Sequence, residues 1–378
     1  MKKSLLLAFL LHSLLLGACS AKDDSRLEVQ GRLSQVEYPW LELSSRLHRD
    51  GFEKEKLNRL FERMSTPPSL RPMGTKVKEL YSLKFLRKPS VQKPPRKPVA
   101  TKIGIPGPWF TGVVTKNNAE LCRKFIRANR NAFKRAEKKY GVPPEVGAAL
   151  LFVETRLGTQ TGRENAFFTL ASMAHKFPVK NVLGYVDGIP GAEEREGWIK
   201  ERMEEKSEWA YRELKALLTY CEKNGIDPHS LPGSSYGAIG MCQFMPSNIS
   251  HYAEDGNGDG RIDLFNASDA ILCLSRYLNH YGWRKGMTLK DEVKVLMHYN
   301  KMLKYAHTIL ALAKTIEKLE KPTARQGVKP AKKQAVATKS TKKVKAGKKV
   351  ALKKSKPAPK KQKRWVTAKG RDITSFVE

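Results

Sequence analysis

The chain has 378 residues, of which 71 are Lys or Arg and 37 are Asp or Glu, so its formal net charge is +34. Apolar residues make up 40% of it, which excludes a chain that is disordered throughout and allows one domain of about 200 residues plus appendages. Residues 321–378 contain 20 basic and two acidic residues, so they contribute +18, and the other 320 residues contribute +16. The charge therefore belongs mainly to one terminal segment.

The first 19 residues have the pattern of a lipoprotein signal peptide. Lysines follow the initial Met, an apolar run covers residues 5–16, and residues 16–19 read LGAC, which fits a lipobox. The run is shorter than the roughly 20 apolar residues of a spanning helix, so we expect the peptide to be removed. Cys19 would then carry a lipid; an ordinary secretory signal with an incidental cysteine is the alternative. Because Ser20 rather than Asp follows, the predicted location is the periplasmic side of the outer membrane.

Four further cysteines remain in the chain. An oxidising compartment permits up to two disulfides among them, in three pairings between which the sequence does not choose. Their spacing contains no Cys-x-x-Cys metal pattern, and Cys242 is interpreted as a small buried filler rather than a nucleophile. These cysteines are Cys122, Cys221, Cys242 and Cys273.

Residues 20–83 are predicted to hold a polar tether followed by helices. Large apolar residues recur at helical spacing from Trp40 to Phe61, and Asp50-Gly51 interrupts them, so two short amphipathic helices are expected. Residues 84–116 form the next unit. Lys and Arg alternate there with prolines, and this composition predicts an extended connector rather than a regular helix.

Residues 117–320 are predicted to form the main folded domain, which belongs to the mainly α class because no long alternating strand pattern appears. One helix is expected to begin at Pro143-Pro144-Glu145, since proline suits the first turn, and residues 184–198 are expected to be irregular. The other predicted helices cover residues 118–140, 165–176, 199–223, 267–281, 289–299 and 305–319.

The helix that begins near Pro144 leads into the first chemically informative stretch, LLFVETRLG at residues 150–158. It places one ionisable residue, Glu154, at the end of an apolar run. Loss of water around a carboxyl group raises its pKa, so Glu154 is a candidate proton donor near neutral pH. An exposed or capping glutamate at a helix end is the alternative interpretation.

The second informative stretch is GAIGMCQFMPS at residues 237–247, a Gly-rich loop with polar residues of the kind that lines a cleft. Gly237 and Gly240 would permit a close approach of the backbone to a sugar ring. A plain turn is the alternative.

An acidic loop follows this stretch and resembles the beginning of an EF-hand calcium loop. Oxygen-bearing side chains occupy positions one, three and five, as Asp255, Asn257 and Asp259, and the Arg261 carbonyl stands at position seven. Position twelve is Asn266 instead of the usual bidentate Glu. An Asx-rich turn without an ion is the alternative.

The sequence E-T-R-x-G after an apolar helix, followed about eighty residues later by S-x-x-G-A-x-G-x-x-Q-F-M-P-S, resembles the B-type lytic murein transglycosylases. The resemblance covers residues from about 40 to 317. It implies a lysozyme-like catalytic domain over residues 117–320 that cleaves the bond between N-acetylmuramic acid and N-acetylglucosamine in peptidoglycan without water. In this family one glutamate acts first as acid and then as base, giving a 1,6-anhydro product, and Glu154 matches its position.

The same resemblance implies further site residues. Ser234 and Gln243 would contact substrate, and Tyr299 and Asn300 match a pair that closes the cleft, with Tyr305 in the same region. A tyrosine there would be able to stack on a sugar and bind Glu154, although core packing is the alternative. The family's calcium loop is slightly longer and is closed by a later aspartate, which Asp269 matches. The implied ligands of a structural calcium ion are therefore Asp255, Asn257, Asp259, Arg261 and Asp269.

Residues 321–378 are predicted to be a disordered, Lys-rich tail, because they contain almost no large apolar groups. Lysine repeats can bind nucleic acid, but the signal peptide argues against that partner. Weak contact with polyanions of the cell wall or outer membrane is favoured, and a solvated tail without a partner is the alternative. The chain as a whole is predicted to be a monomeric peptidoglycan-cleaving lipoprotein. Its rivals are a hydrolytic muramidase and a non-catalytic peptidoglycan-binding lipoprotein.

Overall fold

The computed structural model describes residues 39–86, 103–186, 189 and 191–320. Most of these residues are helical, which confirms the mainly α class. The helices, in chain order, are α1 (Leu41–Arg49), α2 (Lys54–Glu62), α3 (Arg71–Tyr81), α4 (Lys116–Ala128), α5 (Arg130–Tyr140), α6 (Pro144–Thr155), α7 (Ala166–Ala174), α8 (Val179–Val186), α9 (Glu196–Asn224), α10 (Pro246–Tyr252), α11 (Ala267–His280), α12 (Leu289–Tyr299) and α13 (Leu303–Glu320).

A small sheet lies between the helices. Strand β1 (Glu164–Asn165) pairs antiparallel with β2 (Pro232–Gly233), with Glu164 opposite Gly233. Gly233 continues into a bridge with Ile239, and Ile239 bridges to Phe244. These short pairings join the chain after α6 to the Gly-rich loop before α10, so they bring the two informative stretches together.

Helix α6 runs through the middle of the main core. Residues 148–151 are completely buried, and the helix packs against α4, α5, α11 and α13. Such a helix is apolar on every side because each side meets another element. The burial leaves its two ends near a surface, and the C-terminal end carries Glu154.

A second, smaller core lies beside the main one. It joins α3, α8 and the first turns of α9 through Met73, Val77, Val182, Ile199 and Met203, all of them buried. Aromatic rings of Phe85 and Trp198 pack against it. The sequence interpretation did not identify α3 or α8, so this core was not expected.

Several predicted boundaries differ from the structure. The continuous helical pattern over residues 118–140 forms two helices that meet at Asn129, whose backbone has a non-helical conformation. Residues 184–198 were expected to be irregular, yet they contain the end of α8 and the beginning of α9. The short helix α10 was also missed. Helix α6 and helix α12 begin and end as expected to within one or two residues.

The predicted connector, residues 84–116, is described only at its two ends. Residues 82–86 extend α3 as a π-helical turn. Residues 103–115 pack onto the main domain, since Ile105 is buried and the Phe110 backbone N–H donates to Thr308 Oγ1 at 3.0 Å. Residues 103–115 of the connector are therefore attached to the main domain and are not extended. The domain boundary at residue 117 stays a prediction.

The four cysteines at 122, 221, 242 and 273 are all buried free thiols, so the described structure contains neither of the disulfides that export would permit. No helix among the described residues is long and apolar enough to cross a membrane. The signal peptide with Cys19, the tether and the tail at 321–378 lie outside the described residues.

Candidate active site

Glu154 lies in the last turn of α6, where it is half-buried. The hydroxyl of Tyr305 on α13 donates a hydrogen bond to its Oε1 atom. Tyr305 has no exposed surface. Burial, together with the charge of Glu154, raises the pKa of this phenol well above its usual value. Tyr305 therefore stays protonated in the neutral range and remains a hydrogen-bond donor to the carboxyl group.

Tyr299, at the end of α12, packs beside this pair but makes a different contact. Its ring stacks on that of Tyr305, with centroids 6.3 Å apart and planes 12° from parallel. Its hydroxyl donates to the backbone carbonyl of Cys242. The sequence interpretation offered Tyr299 as a tyrosine able to bind Glu154; the structure gives that hydrogen bond to Tyr305. Tyr299 instead connects α12 to the Gly-rich loop.

Thr155, next to Glu154, joins the two informative stretches directly. It is fully buried, and its hydroxyl donates to the Met241 carbonyl oxygen at 2.8 Å. The Thr155 hydroxyl oxygen in turn accepts a hydrogen bond from the Gly158 N–H at 3.0 Å. Thr155 had no predicted role, although its position between Glu154 and the following turn is a usable signal.

The turn after α6 has an unusual backbone. Arg156, Leu157 and Gly158 have φ angles of 49°, 59° and 87°, so three consecutive residues lie in the left-handed region. For the two that are not glycine this conformation costs on the order of 1 kcal/mol or more each. The hydrogen bonds of Thr155 help to hold this turn, which fixes the direction in which the chain leaves Glu154.

The Gly-rich loop forms a tight turn beside it. Ile239 and Phe244 exchange two backbone hydrogen bonds, of 2.9 and 3.1 Å, and enclose the residues between them. Gln243 in this turn has a φ of 50°. Its side-chain nitrogen donates to the carbonyls of Gly240 at 2.9 Å and Thr161 at 3.1 Å. These bonds fix the amide group and direct its carbonyl oxygen as an acceptor.

The glycines of this loop are needed for protein packing. A Cβ atom on Gly237 would lie 2.5 Å from the Leu170 side chain, and one on Gly240 would lie 2.4 Å from Leu264 Cβ. Both residues also have positive φ angles. Packing within the protein is therefore enough to explain both glycines, and their close approach to a sugar stays a prediction.

Ser234 and Asn300 are both buried, and each organises nearby backbone. The Ser234 hydroxyl accepts hydrogen bonds from the N–H groups of Tyr236 at 3.2 Å and Ala238 at 3.0 Å. Asn300 Oδ1 accepts from the Met302 N–H at 3.1 Å, just before α13. Both side chains thus shape segments at the site, and their contact with substrate stays a prediction.

The acidic loop is folded around its own carboxylates. Asp255 accepts backbone hydrogen bonds from Gly258 at 2.6 Å and Gly260 at 2.7 Å, and these bonds lower its pKa. Asp269 is buried and accepts from Gly256 at 2.9 Å and Asp263 at 2.7 Å. Burial, and also the charges of Asp255 and Asp259, raises the pKa of Asp269.

These residues fit calcium in chemical type. Ca²⁺ takes carboxylate, amide and carbonyl oxygens, and the like charges of Asp255 and Asp259 repel that of Asp269, since they add to the effect of burial in raising its pKa. A cation would relieve that repulsion. Within the described part of the chain, however, no three His, Cys, Asp or Glu side chains are arranged closely enough to hold a metal ion. The side-chain oxygens bind backbone N–H groups instead.

Comparisons with known proteins place the chain in a family. The family model described as "Transglycosylase SLT domain" matches residues 36–370. Membrane-bound lytic murein transglycosylase B of Escherichia coli K12 is 31% identical over 183 residues, which are 48% of this chain and 42% of that protein. The match therefore spans less than half of that relative's length.

Solved structures show the same fold. Soluble lytic transglycosylase SltB1 from Pseudomonas aeruginosa superimposes with a TM-score of 0.52 and 21% identity, covering 74% of this chain and 98% of that one. Escherichia coli lytic transglycosylase Slt35, solved in complex with calcium, gives a TM-score of 0.53 and 19% identity, covering 75% and 93%. Another structure of Slt35 contains bulgecin A.

Proposed function

Because this chain belongs to the transglycosylase SLT domain family, whose model matches almost nine-tenths of it, we propose that it is a peptidoglycan lytic transglycosylase. It cleaves the β-1,4 bond between N-acetylmuramic acid and N-acetylglucosamine without water and leaves 1,6-anhydro-muramic acid ends. The observation that carries the proposal is the Glu154–Tyr305 hydrogen bond at the end of a buried helix, beside the loop that carries Gln243.

The surroundings of Glu154 suit a mechanism with one carboxyl group. Burial, and to a smaller extent the charge of Glu154, raises the pKa of three neighbours, Cys242, Tyr299 and Tyr305, all of which are neutral at ordinary pH. These three side chains carry no carboxyl group, so none of them can act as the second carboxylate of an ordinary glycosidase. We propose that Glu154 fills both the acid and the base role.

In the first step the protonated Glu154 gives its proton to the glycosidic oxygen, and the bond from this oxygen to the muramic acid ring breaks. Positive charge develops on that ring as N-acetylglucosamine leaves. In the second step the Glu154 carboxylate accepts the proton of the 6-hydroxyl of the same muramic acid. The 6-hydroxyl oxygen then bonds to the ring carbon that lost the glycosidic oxygen. The proton taken in the second step restores the enzyme.

The other site residues would bind and orient the glycan. The fixed amide of Gln243 offers its carbonyl oxygen to an N-acetyl or hydroxyl donor, while Ser234 and Asn300 shape the neighbouring backbone. Tyr299 supplies an aromatic ring at the cleft. Tyr305 orients the Glu154 carboxyl group in both steps, since its raised pKa keeps it a donor.

Mass spectrometry of fragments released from purified murein sacculi tests this function, using the protein without residues 1–19. We expect fragments that end in 1,6-anhydro-muramic acid. Reducing muramic acid ends would show that water enters and would support the hydrolytic muramidase. Sacculi that stay intact while binding the protein would support the non-catalytic lipoprotein.

We propose further that the acidic loop binds a structural calcium ion. Asp255, Asn257, Asp259, the Arg261 carbonyl and Asp269 would hold it, and the ion would offset the repulsion that Asp255 and Asp259 exert on Asp269. One of the fold relatives, Slt35, was solved with calcium. The end of the acidic loop also contacts the Gly-rich loop, because the Met241 N–H donates to the Leu264 carbonyl at 2.8 Å.

Calcium is expected to stabilise the protein. A ligand at 100 times its dissociation constant adds about 2.7 kcal/mol, which corresponds to a melting temperature about 5 °C higher or more for a domain of this size. The double variant Asp255→Asn/Asp259→Asn should lose this shift, and the exposed control Glu137→Gln should keep it. Differential scanning calorimetry with calcium and with chelator measures both. Equal melting temperatures for the wild type under the two conditions would contradict a calcium site.

We propose that Cys19 carries a lipid that anchors the protein to the periplasmic side of the outer membrane, which fits the membrane-bound description of the Escherichia coli relative. The basic tail at 321–378 would add weak, salt-sensitive contact with polyanions.

A further inference from the structure

Glu213 is a buried carboxylate that lies outside both informative stretches. It stands on α9, which packs against α7 and α10, and only 5% of it is exposed. Its two oxygen atoms bind the same residue: Oε2 accepts the Ser247 backbone N–H at 2.8 Å, and Oε1 accepts the Ser247 hydroxyl at 2.8 Å. The two residues are 34 positions apart in sequence.

A buried carboxylate is a costly way to fill space between two helices. Burial raises the pKa of Glu213, while the two hydrogen bonds from Ser247 and the charge of Arg212 act in the opposite direction. A leucine in this position would avoid the cost. The reason for a carboxyl group at this position is therefore sought in the segment that its two hydrogen bonds hold in place.

Those bonds hold the end of the Gly-rich loop. Ser247 is the second residue of α10, and Phe244, three residues earlier, closes the turn that carries Gln243 through its pairing with Ile239. The middle of the same turn is held by Thr155 through the Met241 carbonyl. The loop is thus held from several elements, and Ser247 with Glu213 supplies its attachment to α9.

We propose that Glu213 is a positioning residue that fixes the Gln243 turn in the cleft, a role that rests on the proposed function. It does not touch the substrate, because it is buried and both of its oxygens bind Ser247. It acts through α10 and the loop before it, by setting how far the turn stands from Glu154.

Three variants separate positioning from proton transfer. In Glu213→Gln the amide can still accept the Ser247 N–H and donate to its hydroxyl, so kcat/KM is expected within about twofold of the wild type. Glu213→Leu removes both bonds and should lower kcat/KM about tenfold or more. Ser247→Ala keeps the hydrogen bond from the backbone N–H, and its kcat/KM should lie between the values of the other two variants. If Glu213→Leu does not fold, Ser247→Ala with Glu213→Gln carries the test.

A matched control distinguishes positioning from general loss of stability. Met203→Ala creates a cavity on the same helix, about 15 Å away along its axis, in the second core. It should lower the melting temperature at least as much as Glu213→Leu and leave kcat/KM within about twofold. Equal losses of activity in these two variants would reduce Glu213 to a structural residue and overturn the proposal.

Hydrogen–deuterium exchange gives a readout that does not depend on activity. Glu213→Leu should speed exchange of the backbone amides in residues 239–252 and leave α12 and α13 unchanged, while Glu213→Gln should match the wild type. Unchanged exchange in the loop of Glu213→Leu would overturn the proposal, as would a Glu213→Gln enzyme as slow as Glu213→Leu. If wild-type protein releases no murein fragments, the proposed function fails, and loop exchange still decides whether Glu213 holds the loop.

Discussion

Replacement of Glu154 by Gln is expected to lower the rate of fragment release from murein by about 1000-fold or more. Glutamine has nearly the same size and can still accept the hydrogen bond from Tyr305, but it cannot give or take a proton. General acid and general base catalysis each contribute roughly 100-fold to 10,000-fold, and here one residue supplies both. Anhydro-muramic acid ends, counted by mass spectrometry against time, give the rate.

The control for this substitution is Glu137→Gln on α5, which removes an exposed carboxylate and should leave the rate unchanged. Binding of Glu154→Gln to sacculi should persist, because the loop with Gln243 is intact. A Glu154→Gln protein that lyses murein at the wild-type rate would remove Glu154 from catalysis. If Glu154→Gln loses both binding and lysis, the substitution has disturbed the cleft and the result does not report on proton transfer.

The sequence predicted the elements whose signals are local. Helix α6 was located because Pro144 begins it and an apolar run continues it to Glu154, and the Gly-rich loop was recognised from consecutive residues. The acidic loop was located in the same way. Each of these features depends on residues within about fifteen positions of one another, so a single sequence is enough to predict it.

Contacts between distant segments could not be predicted in this way. Tyr305 lies 151 positions from Glu154. Tyr299 is also a tyrosine and lies at a helix end, so the sequence offers two candidates. Only the packing of α13 against α6 decides which of them reaches the carboxyl group. Glu213 has no local pattern either, because its partner belongs to a segment that folds against it. The break at Asn129 was missed because the amphipathic pattern continues across it.

Replacement of Tyr305 by Phe is expected to lower kcat about 10-fold to 100-fold with little change in KM. Tyr305 is fully buried, so phenylalanine fills the same space and only the hydroxyl is lost. A hydrogen bond to a charged group contributes about 1.5–3 kcal/mol, and about 1.4 kcal/mol corresponds to tenfold in rate. Because the pKa of Tyr305 is raised well above its usual value, the loss should be present throughout the range from about pH 5 to 8.

Tyr281→Phe is the matched control, since the Tyr281 hydroxyl lies 3.4 Å from that of Tyr252 and not beside Glu154. Its kcat should stay within about twofold of the wild type. Wild-type kcat in Tyr305→Phe would show that the bond to Glu154 does not contribute to the reaction. A raised KM with unchanged kcat would instead make Tyr305 a residue that binds substrate.

The expected size of the Tyr305 effect follows from the two tasks of Glu154. A neighbouring Lys or Arg would favour the carboxylate strongly and oppose the protonated form that the first step needs. A neutral phenol donates one hydrogen bond, which orients the carboxyl group without adding a charge. Loss of this bond should therefore lower kcat, but by far less than loss of proton transfer does. Tyr305→Phe should accordingly remain much more active than Glu154→Gln.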